Sequence, residues 1–259
     1  MADGLTIIAG VAALLSIAGV GYLCAAVLAV IRFDRAAVDV PCTRPPLTVL
    51  KPLCGDEPDL YENLCSLLRQ DYPCFQVVFG VRCDDDPAVG VVRRLIAEFP
   101  AIEINLVIDA RQSGINLKVA NLLNMLGHAR HDRFVFADSD IFAPPGYLDA
   151  MTAALDRPGV GLVTCLYTGR PTSTGWAQLG GLFINHGFLP SVLVGRMLGR
   201  SDGCFGATIA TTRQILESIG GMERFKDHLA DDYALGAAVR EAGLVLALSS
   251  CRVRTTVTE

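Results

Sequence analysis

Residues 134–140 read Phe-Val-Phe-Ala-Asp-Ser-Asp, four apolar residues that run directly into two carboxylates. The Phe134–Ala137 run predicts a short buried strand. Asp138 and Asp140 then stand where that strand ends, and ligands of α/β sheets bind at the carboxyl ends of the strands. Two carboxylates at this edge can hold a hard divalent cation through oxygen ligands. An Asp-x-Asp string alone is common and usually marks a solvated turn, so its position after a strand is what favours the cation.

Short β-rich runs alternate with amphipathic helical stretches on both sides of this segment. Strands are predicted at Leu47–Leu50, Phe75–Val81, Ile102–Ile108, Phe134–Ala137, Val160–Leu166 and Leu244–Leu248. Helices are predicted over Leu60–Leu68, around Val91–Ile96, over Lys118–Ala129 and over about Ala230–Ala242. This alternation predicts an α/β fold, in which a mostly parallel sheet is flanked by helices on both faces. We assign residues 47–259 to this domain and residues 35–46, which contain Pro41, Pro45 and Pro46, to a linker.

Residues 1–34 predict one transmembrane anchor. The 27 residues from Leu5 to Ile31 carry no charge, and about 20 suffice to span the hydrocarbon core of a bilayer. Arg32 and Arg35 follow the run, which by the positive-inside rule places the N-terminus outside and the domain in the cytosol. A signal peptide would need a basic start and a shorter apolar run. A buried core helix is a poor explanation, because so long a stretch shows no polar stripe.

Composition agrees with a membrane-associated protein and excludes nucleic-acid binding. Hydrophobic residues make up 51% of the 259 residues, and the mean hydropathy of +0.41 is high for a soluble enzyme. The net charge is −5 and no basic run is longer than a pair, whereas a nucleic-acid surface needs a clustered basic face. The nine cysteines include no Cys-x-x-Cys pair. They predict reduced thiols in a cytosolic domain, with neither a disulfide framework nor a zinc site.

Two further acidic clusters carry candidate functional residues. Asp84-Asp85-Asp86 follows the second strand, where a carboxylate can accept hydrogen bonds from a nucleotide's base or ribose. The same residues precede Pro87 and an apolar helix, so a helix N-cap is the favoured explanation for this cluster taken alone, and different residues of the three can serve the two roles. Asp231-Asp232 opens a predicted helix, where acidic residues are stabilised by the helix dipole. A general base that takes the proton of an acceptor hydroxyl is the functional alternative.

Lys118 and His186 are weaker candidates. Lys118 can pair with a diphosphate as a point charge, or it can be an ordinary lysine on a helix surface. His186 lies in the apolar stretch Leu182–Val194. It can contact one of the two substrates of a group-transfer reaction, the donor or the acceptor, or it can be a structural histidine.

In their order along the chain, these strings resemble the ceramide glucosyltransferase family and its bacterial relatives, including hopanoid biosynthesis-associated glycosyltransferases. The matching segments are Leu50-Lys51-Pro52-Leu53, Gln70-Asp71-Tyr72-Pro73, Asp85-Asp86-Pro87-Ala88, Gly114-Ile115-Asn116 through Lys118, Asn121-Leu122, Asp138-Ser139 and Asp231-Asp232-Tyr233. The similarity runs from the anchor to about residue 255. Each string alone is weak, but the ordered set is specific.

The resemblance implies a GT-A fold and an inverting transfer of a hexose or N-acetylhexosamine from a UDP-sugar to a lipid hydroxyl, with Mg²⁺ or Mn²⁺ as cofactor. It assigns Asp232 as the catalytic base, with Asp231 and His186 beside it, and Asp138 and Asp140 as metal ligands. The donor-binding residues that it implies are Asp85, Asp86, Asn116, Lys118 and Asp138.

The sequence departs from the family pattern at several points. Asp-Ser-Gly of the ceramide enzymes is Asp138-Ser139-Asp140 here, and the usual Glu before the base is Asp231. The later Gln/Arg-x-x-Arg-Trp motif and C-terminal membrane helices of the family are not found, and the only tryptophan is Trp176. We therefore expect a C-terminally incomplete chain.

Several functional alternatives stay open on the sequence. The acceptor is a hopanoid or a ceramide, and an Ala-, Gly- and Arg-leaning composition favours a bacterial inner membrane and hence a hopanoid. A processive polysaccharide synthase shares the early Asp motifs, but it needs a transmembrane channel, which a single span cannot form. A truncated fragment that binds a nucleotide-sugar without transferring it is the non-enzymatic alternative.

Overall fold

Eight strands form one sheet in the structure, a computed structural model that describes residues 2–37, 39–199 and 203–258. The strands are β1 (Leu47–Pro52), β2 (Phe75–Val81), β3 (Glu103–Ile108), β4 (Arg133–Ala137), β5 (Ile141–Phe142), β6 (Val160–Pro171), β7 (Thr208–Thr212) and β8 (Val245–Val257). Their order across the sheet is β3-β2-β1-β4-β7-β6-β8-β5.

Helices precede the sheet, connect its strands and cover it. They are α1 (Ala2–Arg35), α2 (Leu60–Leu68), α3 (Pro87–Glu98), α4 (Leu117–Leu126), α5 (Tyr147–Leu155), α6 (Trp176–Leu182), α7 (Leu189–Met197), α8 (Arg213–Ser218) and α9 (Asp231–Glu241). A π-helical segment, Phe183–Phe188, joins α6 to α7, and a 3₁₀ turn spans Met222–Phe225.

The strands of the sheet are parallel in its first half and of mixed direction in its second half. β3, β2, β1 and β4 are parallel neighbours, as the strand–helix alternation predicts. Beyond β4 the sheet is mixed: β7 runs antiparallel to both β4 and β6, β6 and β8 are parallel, and β5 is antiparallel to β8. The predicted α/β class is confirmed, but "mostly parallel" describes only the first half. The reason is β7, which enters between β4 and β6 and which the sequence did not predict.

Alternating strand residues supply two hydrophobic cores, one on each face of the sheet. On β2, Val77 and Phe79 pack with α2, α3 and α5, whereas Val78 packs with α4, α8 and α9 on the other face. The close approach of α4 requires Gly80, because a Cβ there would lie 2.4 Å from the Asn121 side chain. This packing fixes the start of α4 beside the carboxyl ends of β1 and β4.

Two helical segments are long and apolar enough to cross a membrane. Gly4–Arg35, nearly all of α1, contains a window of 18 residues with a mean hydropathy of 2.4, and the corresponding window in Trp176–Met197 has a mean hydropathy of 1.2. Near the end of α1, Ala26 and Ala29 are buried against α7. The predicted anchor is therefore a candidate span that also packs on the domain, and the second candidate was not predicted.

Residues 36, 37 and 39–46 form no helix or strand, and α1 extends one residue into the predicted linker. Met1, Val38, Arg200–Asp202 and Glu259, which fall within the predicted anchor, linker and domain, lie outside the described residues.

Candidate active site

Lys118 and Asp138 form the centre of a polar site at the carboxyl end of β4. Lys118 lies in the first turn of α4, and its Nζ is 2.5 Å from Oδ1 of Asp138. Burial lowers the pKa of Lys118, but the charges of Asp138 and Asp231 outweigh that effect and the pKa is raised overall. Lys118 is therefore a permanent cation among carboxylates.

Lys51, on the neighbouring strand β1, holds the Asp138–Ile141 turn by hydrogen bonds. It is the fifth residue of β1 and only 1% exposed. Its Nζ donates to the carbonyl oxygen of Asp138 at 2.6 Å and to that of Ile141 at 3.4 Å. Burial lowers the pKa of Lys51 to about 8, against the attraction of Asp140, Asp138 and Glu57. Sequence reasoning missed this role, although a lysine directly after a predicted buried strand was a signal for it.

Asp140 is held by β8. Its carboxylate accepts a hydrogen bond from Thr255, and its carbonyl oxygen accepts from Thr256 N at 3.2 Å. Burial raises the pKa of Asp140, and the neighbouring Asp138 charge raises it further, against the bond from Thr255 and the charge of Lys51. The Asp-Ser-Asp triplet is thus a fixed turn at the ligand edge, as predicted from its position after the strand.

Two cavities meet at these residues. The first has a volume of about 650 Å³ and the second about 510 Å³. Both are lined by Lys118, Asp138, Asp140, Thr256 and Thr258. The shared lining means that a molecule in one cavity and a molecule in the other would meet at the Lys118–Asp138 pair.

The first cavity contains three polar atoms that sequence reasoning missed. Glu57 Oε2, Arg82 Nε and Asn121 Oδ1 are buried without a hydrogen-bond partner among the described residues, and all three side chains line this cavity. Glu57 also accepts a hydrogen bond from Ser139 Oγ at 2.7 Å. Because an unpaired buried polar atom is costly, these atoms mark a surface that is completed by a polar ligand or by water.

The second cavity contains both acids of α9. Asp231 and Asp232 line it together with Tyr167, Ile184 and Gly206. Asp231 Oδ1 accepts from Asn116 Nδ2 at 3.2 Å, and burial raises its pKa against the opposing charge of Lys118. Asp232 Oδ1 accepts from the backbone N of Tyr233 at 2.7 Å. Both acids also stand in the first turn of the helix, where the helix dipole stabilises them, and their catalytic role stays a prediction.

Asn116 is a connecting residue at the start of α4. Its side-chain oxygen caps the helix by accepting from the backbone N of Lys118 and Val119 at 3.0 and 3.1 Å. Its amide nitrogen donates to His228 O at 2.8 Å as well as to Asp231. It lines neither cavity. Its predicted contact with the donor stays a prediction.

Three other predicted site residues are not part of the cavity walls. Asp86 caps α3 by accepting from Ala88 N at 2.9 Å, and it also accepts from Gly55 N, so the N-cap explanation is confirmed for it. Asp85 and His186 are exposed. None of the three lines either cavity. Their assignments, to the nucleotide pocket for Asp85 and Asp86 and to the catalytic centre for His186, stay predictions.

The carboxylates fit a divalent cation only in part. Among the described residues no group of three His, Cys, Asp or Glu side chains could enclose a metal ion. Asp138 and Asp140 provide two carboxylates at one turn, and Mg²⁺ is commonly bound by one or two carboxylates together with substrate phosphates. The pair therefore suits an ion that arrives with, or is completed by, a diphosphate.

A sheet of this order with carboxylates on its ligand edge defines the GT-A class of glycosyltransferase folds. A mannosyltransferase of Pyrobaculum calidifontis, solved with GDP-Man and Mn²⁺, matches with a TM-score of 0.64 and 24% identity over 92% of this chain and 65% of its own. TarS of S. aureus, solved with UDP-GlcNAc, matches with a TM-score of 0.58 and 16% identity over 83% of this chain and 59% of its own. The predicted GT-A fold is confirmed.

The chain belongs to glycosyl transferase family 21, whose model matches residues 11–259. It is 31% identical to ceramide glucosyltransferase 1 of Caenorhabditis elegans over 209 residues, which are 80% of this chain and 45% of that protein. It is 29% identical to the ceramide glucosyltransferase of Komagataella phaffii over 127 residues, 48% of this chain and 25% of the yeast protein. The chain thus spans less than half of these curated relatives, and the resemblance to the ceramide glucosyltransferase family is confirmed.

Proposed function

We propose that this chain transfers a sugar from a nucleoside diphosphate donor to the hydroxyl group of a membrane lipid, with inversion at the anomeric carbon. The observation that carries the proposal is the meeting of two cavities at Lys118, Asp138 and Asp140. A transferase needs two substrates to meet at one point, with charge stabilisation for the leaving group on one side and a base on the other.

The first cavity suits the donor, for which we propose a UDP-sugar. Lys118 remains protonated because neighbouring carboxylates raise its pKa, and a fixed cation stabilises the charge of a departing diphosphate. The unpaired atoms of Glu57, Arg82 and Asn121 offer acceptors and a donor for the polar groups of a nucleotide or a sugar. Of the residues assigned to the donor from the sequence, Lys118 and Asp138 carry this role best.

Asp138 and Asp140 would hold the divalent cation, Mg²⁺ or Mn²⁺. When bound, such an ion supplies positive charge opposite the leaving diphosphate. Lys51 then acts as a positioning residue, because it donates to the Asp138 carbonyl and so fixes the turn that carries both carboxylates.

The second cavity suits the acceptor. We propose that Asp232 takes the proton of the lipid hydroxyl as its oxygen attacks the anomeric carbon. The bond from that carbon to the diphosphate oxygen breaks, and its electron pair leaves with the nucleotide. Asp231, hydrogen-bonded to Asn116 and attracted to Lys118, is the more constrained of the two acids. We therefore assign Asp231 to positioning and Asp232 to proton transfer.

The names of the curated relatives favour ceramide as the acceptor, and a hopanoid stays the second candidate. We place the reaction at the cytosolic membrane face, because Arg32 and Arg35 follow the apolar run of α1.

The test is sugar transfer by the purified chain in lipid nanodiscs. Radiolabelled UDP-glucose and UDP-N-acetylglucosamine are offered separately, each with a ceramide or a hopanoid acceptor, with and without EDTA. We expect a singly glycosylated lipid from one pairing and none after EDTA treatment. Donor binding is measured in parallel by equilibrium dialysis.

Each other outcome has a distinct meaning. Donor binding without product from any pairing would favour the binding-only fragment. A product that carries several sugars would favour the processive alternative. Transfer that is unaffected by EDTA would overturn the role given to the cation while leaving the transferase intact.

A further inference from the structure

Helix α6 and the π-helical segment carry an exposed apolar row. Trp176, Leu179, Leu182 and Phe183 are 77, 55, 53 and 70% exposed. Residues three, four and seven apart lie on one face of a helix, so these side chains form a continuous surface. Contiguous apolar patches on proteins mark sites of interaction with a partner or with a membrane.

The opposite face of this helix is firmly attached to the end of β6. The Asn185 side chain accepts from Gly169 N and donates to Gly169 O, both at 2.9 Å. The backbones are close, because a Cβ on Gly169 would lie 3.1 Å from the Cα of Gly181. Tyr167 and Phe188 stack with their ring centroids 4.9 Å apart. The direction of the apolar row is thus fixed by the fold.

The following helix, α7, packs on the candidate membrane span. Ala26 and Ala29 of α1 are buried against it, and Arg32 Nη1 lies 3.9 Å from Met197 Sδ. Residues 4–24 of α1, in contrast, are exposed along their length. Only the last third of α1 therefore touches this segment, at the level where Arg32 and Arg35 would meet the lipid headgroups.

The attachment to β6 argues against a second span. By length and hydropathy alone, Trp176–Met197 could cross a membrane. Its first half is fixed to Gly169, however, and the polar residues Arg170, Thr172 and Ser173 beside it are exposed. A crossing would carry the polar side chains at the end of β6 into hydrocarbon, where no water is present to hydrogen-bond them.

We propose that Trp176, Leu179, Leu182 and Phe183 form a docking surface that inserts into the interfacial layer of the bilayer anchored by α1, with the helix lying along the membrane plane. Met197 and Leu198, beside Arg32 at the other end of the segment, are exposed apolar residues as well. Interfacial helices bury such a face to a depth of about 5–10 Å. The occupant of this surface is lipid.

The docking surface is continuous with the acceptor cavity. Ile184, next to Phe183, lines the cavity that contains Asp232. A lipid hydroxyl would reach Asp232 past Ile184 and Tyr167 while its chains stay in the bilayer. This consequence rests on the proposed function, but the docking itself does not.

The lone tryptophan provides the test. Trp176 is the only one in the chain, so the emission of the full chain in phosphatidylcholine vesicles reports on this site alone. The acyl chains are brominated either near the headgroup or near the bilayer centre. Two more single-tryptophan proteins combine Trp176→Phe with Leu179→Trp or Phe183→Trp. We expect the headgroup-proximal bromine to quench all three strongly and to an equal extent.

Two results would overturn the proposal. A spanning helix would place position 183 about 10 Å deeper than position 176, so quenching by the central bromine would rise along the series. A surface that faces water would show no quenching at any position. The matched control is Trp176→Phe with Ile96→Trp on α3, at the opposite edge of the sheet, where no quenching is expected.

Far-ultraviolet circular dichroism verifies that each variant is folded, and the substituted positions are at least 39% exposed. Quenching needs no catalysis. A chain that docks but transfers no sugar would therefore contradict the proposed function and leave the docking surface standing.

Discussion

Gly206 provides the space in which the Asp232 carboxylate lies. A Cβ at this position would be 3.1 Å from Asp232 Oδ2 and 3.4 Å from its Cβ and Cγ. The contact is tighter than ordinary packing, so an alanine here requires the Asp232 carboxylate to shift by a few tenths of an ångström. Gly206 is therefore a residue on which the position of Asp232 depends.

Gly206→Ala is expected to lower the rate of sugar transfer by up to about 10-fold, because a misplacement of about 1 Å costs roughly 100-fold and the shift required here is smaller. Donor binding in the first cavity should be unchanged, because Gly206 lines only the second. Steady-state kinetics and dialysis measure the two quantities. Gly90→Ala, in open space on α3, is the matched control and should keep full activity. Equal activity of both variants would contradict the conclusion that the position of Asp232 depends on Gly206.

The two acids of α9 should respond differently to neutralisation. Asp232→Asn is expected to reduce transfer by about 10²- to 10⁴-fold while leaving donor affinity intact, the usual scale for a lost general base. Asp231→Asn removes a charge that raises the pKa of Lys118, so donor affinity should change as well. Single-turnover transfer and donor dialysis on both variants distinguish these effects. Full activity of Asp232→Asn would remove this residue from the mechanism.

At the scale of the secondary-structure elements, the start of α4 is joined to the loop that precedes α9. Gly114 has a φ of +80°, and a Cβ there would lie 2.5 Å from Lys226 O. The backbone N of Asn116 donates to the same oxygen at 2.9 Å. The Asn116 cap, the loop that contains Lys226 and the acid Asp231 are thus connected by hydrogen bonds. A substitution of Asn116 should therefore alter the position of Asp231.

Asn116→Ala is expected to destabilise the protein by about 1 kcal/mol, the usual cost of a lost N-cap. It should also reduce transfer, because Asp231 loses its hydrogen bond. Thr212→Ala is the control, since Thr212 caps α8 through Ile215 N without contacting the acids. Thermal unfolding should show similar losses for both variants, and only Asn116→Ala should lower activity. Equal activities would limit Asn116 to a structural role.

For the molecule as a whole, α1 has two parts with different roles. Residues 4–24 are exposed and available to lipid, whereas Ala26 and Ala29 complete a small core with Leu189, Val192 and Leu193 of α7. Asp34 adds an ion pair with Arg252 at 2.9 Å. The anchor is therefore both a candidate span and a part of the domain.

Removal of residues 2–24 should leave the unfolding temperature of the remaining protein in detergent nearly unchanged. Removal of residues 2–35 exposes the α7 core and breaks the Arg252 pair, so the unfolding temperature should fall by about 2–4 °C for each kcal/mol lost. Differential scanning fluorimetry compares the two. The same unfolding temperature in both would mean that the last turns of α1 contribute nothing to the domain.

The extent of prediction from sequence differs between the two halves of the sheet. β2 was predicted with its observed bounds, and α2 likewise, because each buries one regular set of apolar residues. β7 and α5 were missed: β7 reads Thr-Ile-Ala-Thr-Thr, which has little apolar periodicity. It is a strand because β4 and β6 supply hydrogen bonds on both sides, a context that its own residues do not encode.

The sequence by itself determined the apolar N-terminal helix, the strand–helix alternation and the placement of Asp138 and Asp140 at a strand end, since each depends on neighbours along the chain. Only the tertiary structure decided which of these groups meet. Asp231 bonds Asn116 across 115 residues, Asp86 caps a helix, His186 faces outward, and Lys51, Glu57, Arg82 and Asn121 join the site. Such pairings depend on how distant elements pack against each other, and local periodicity carries no information about that.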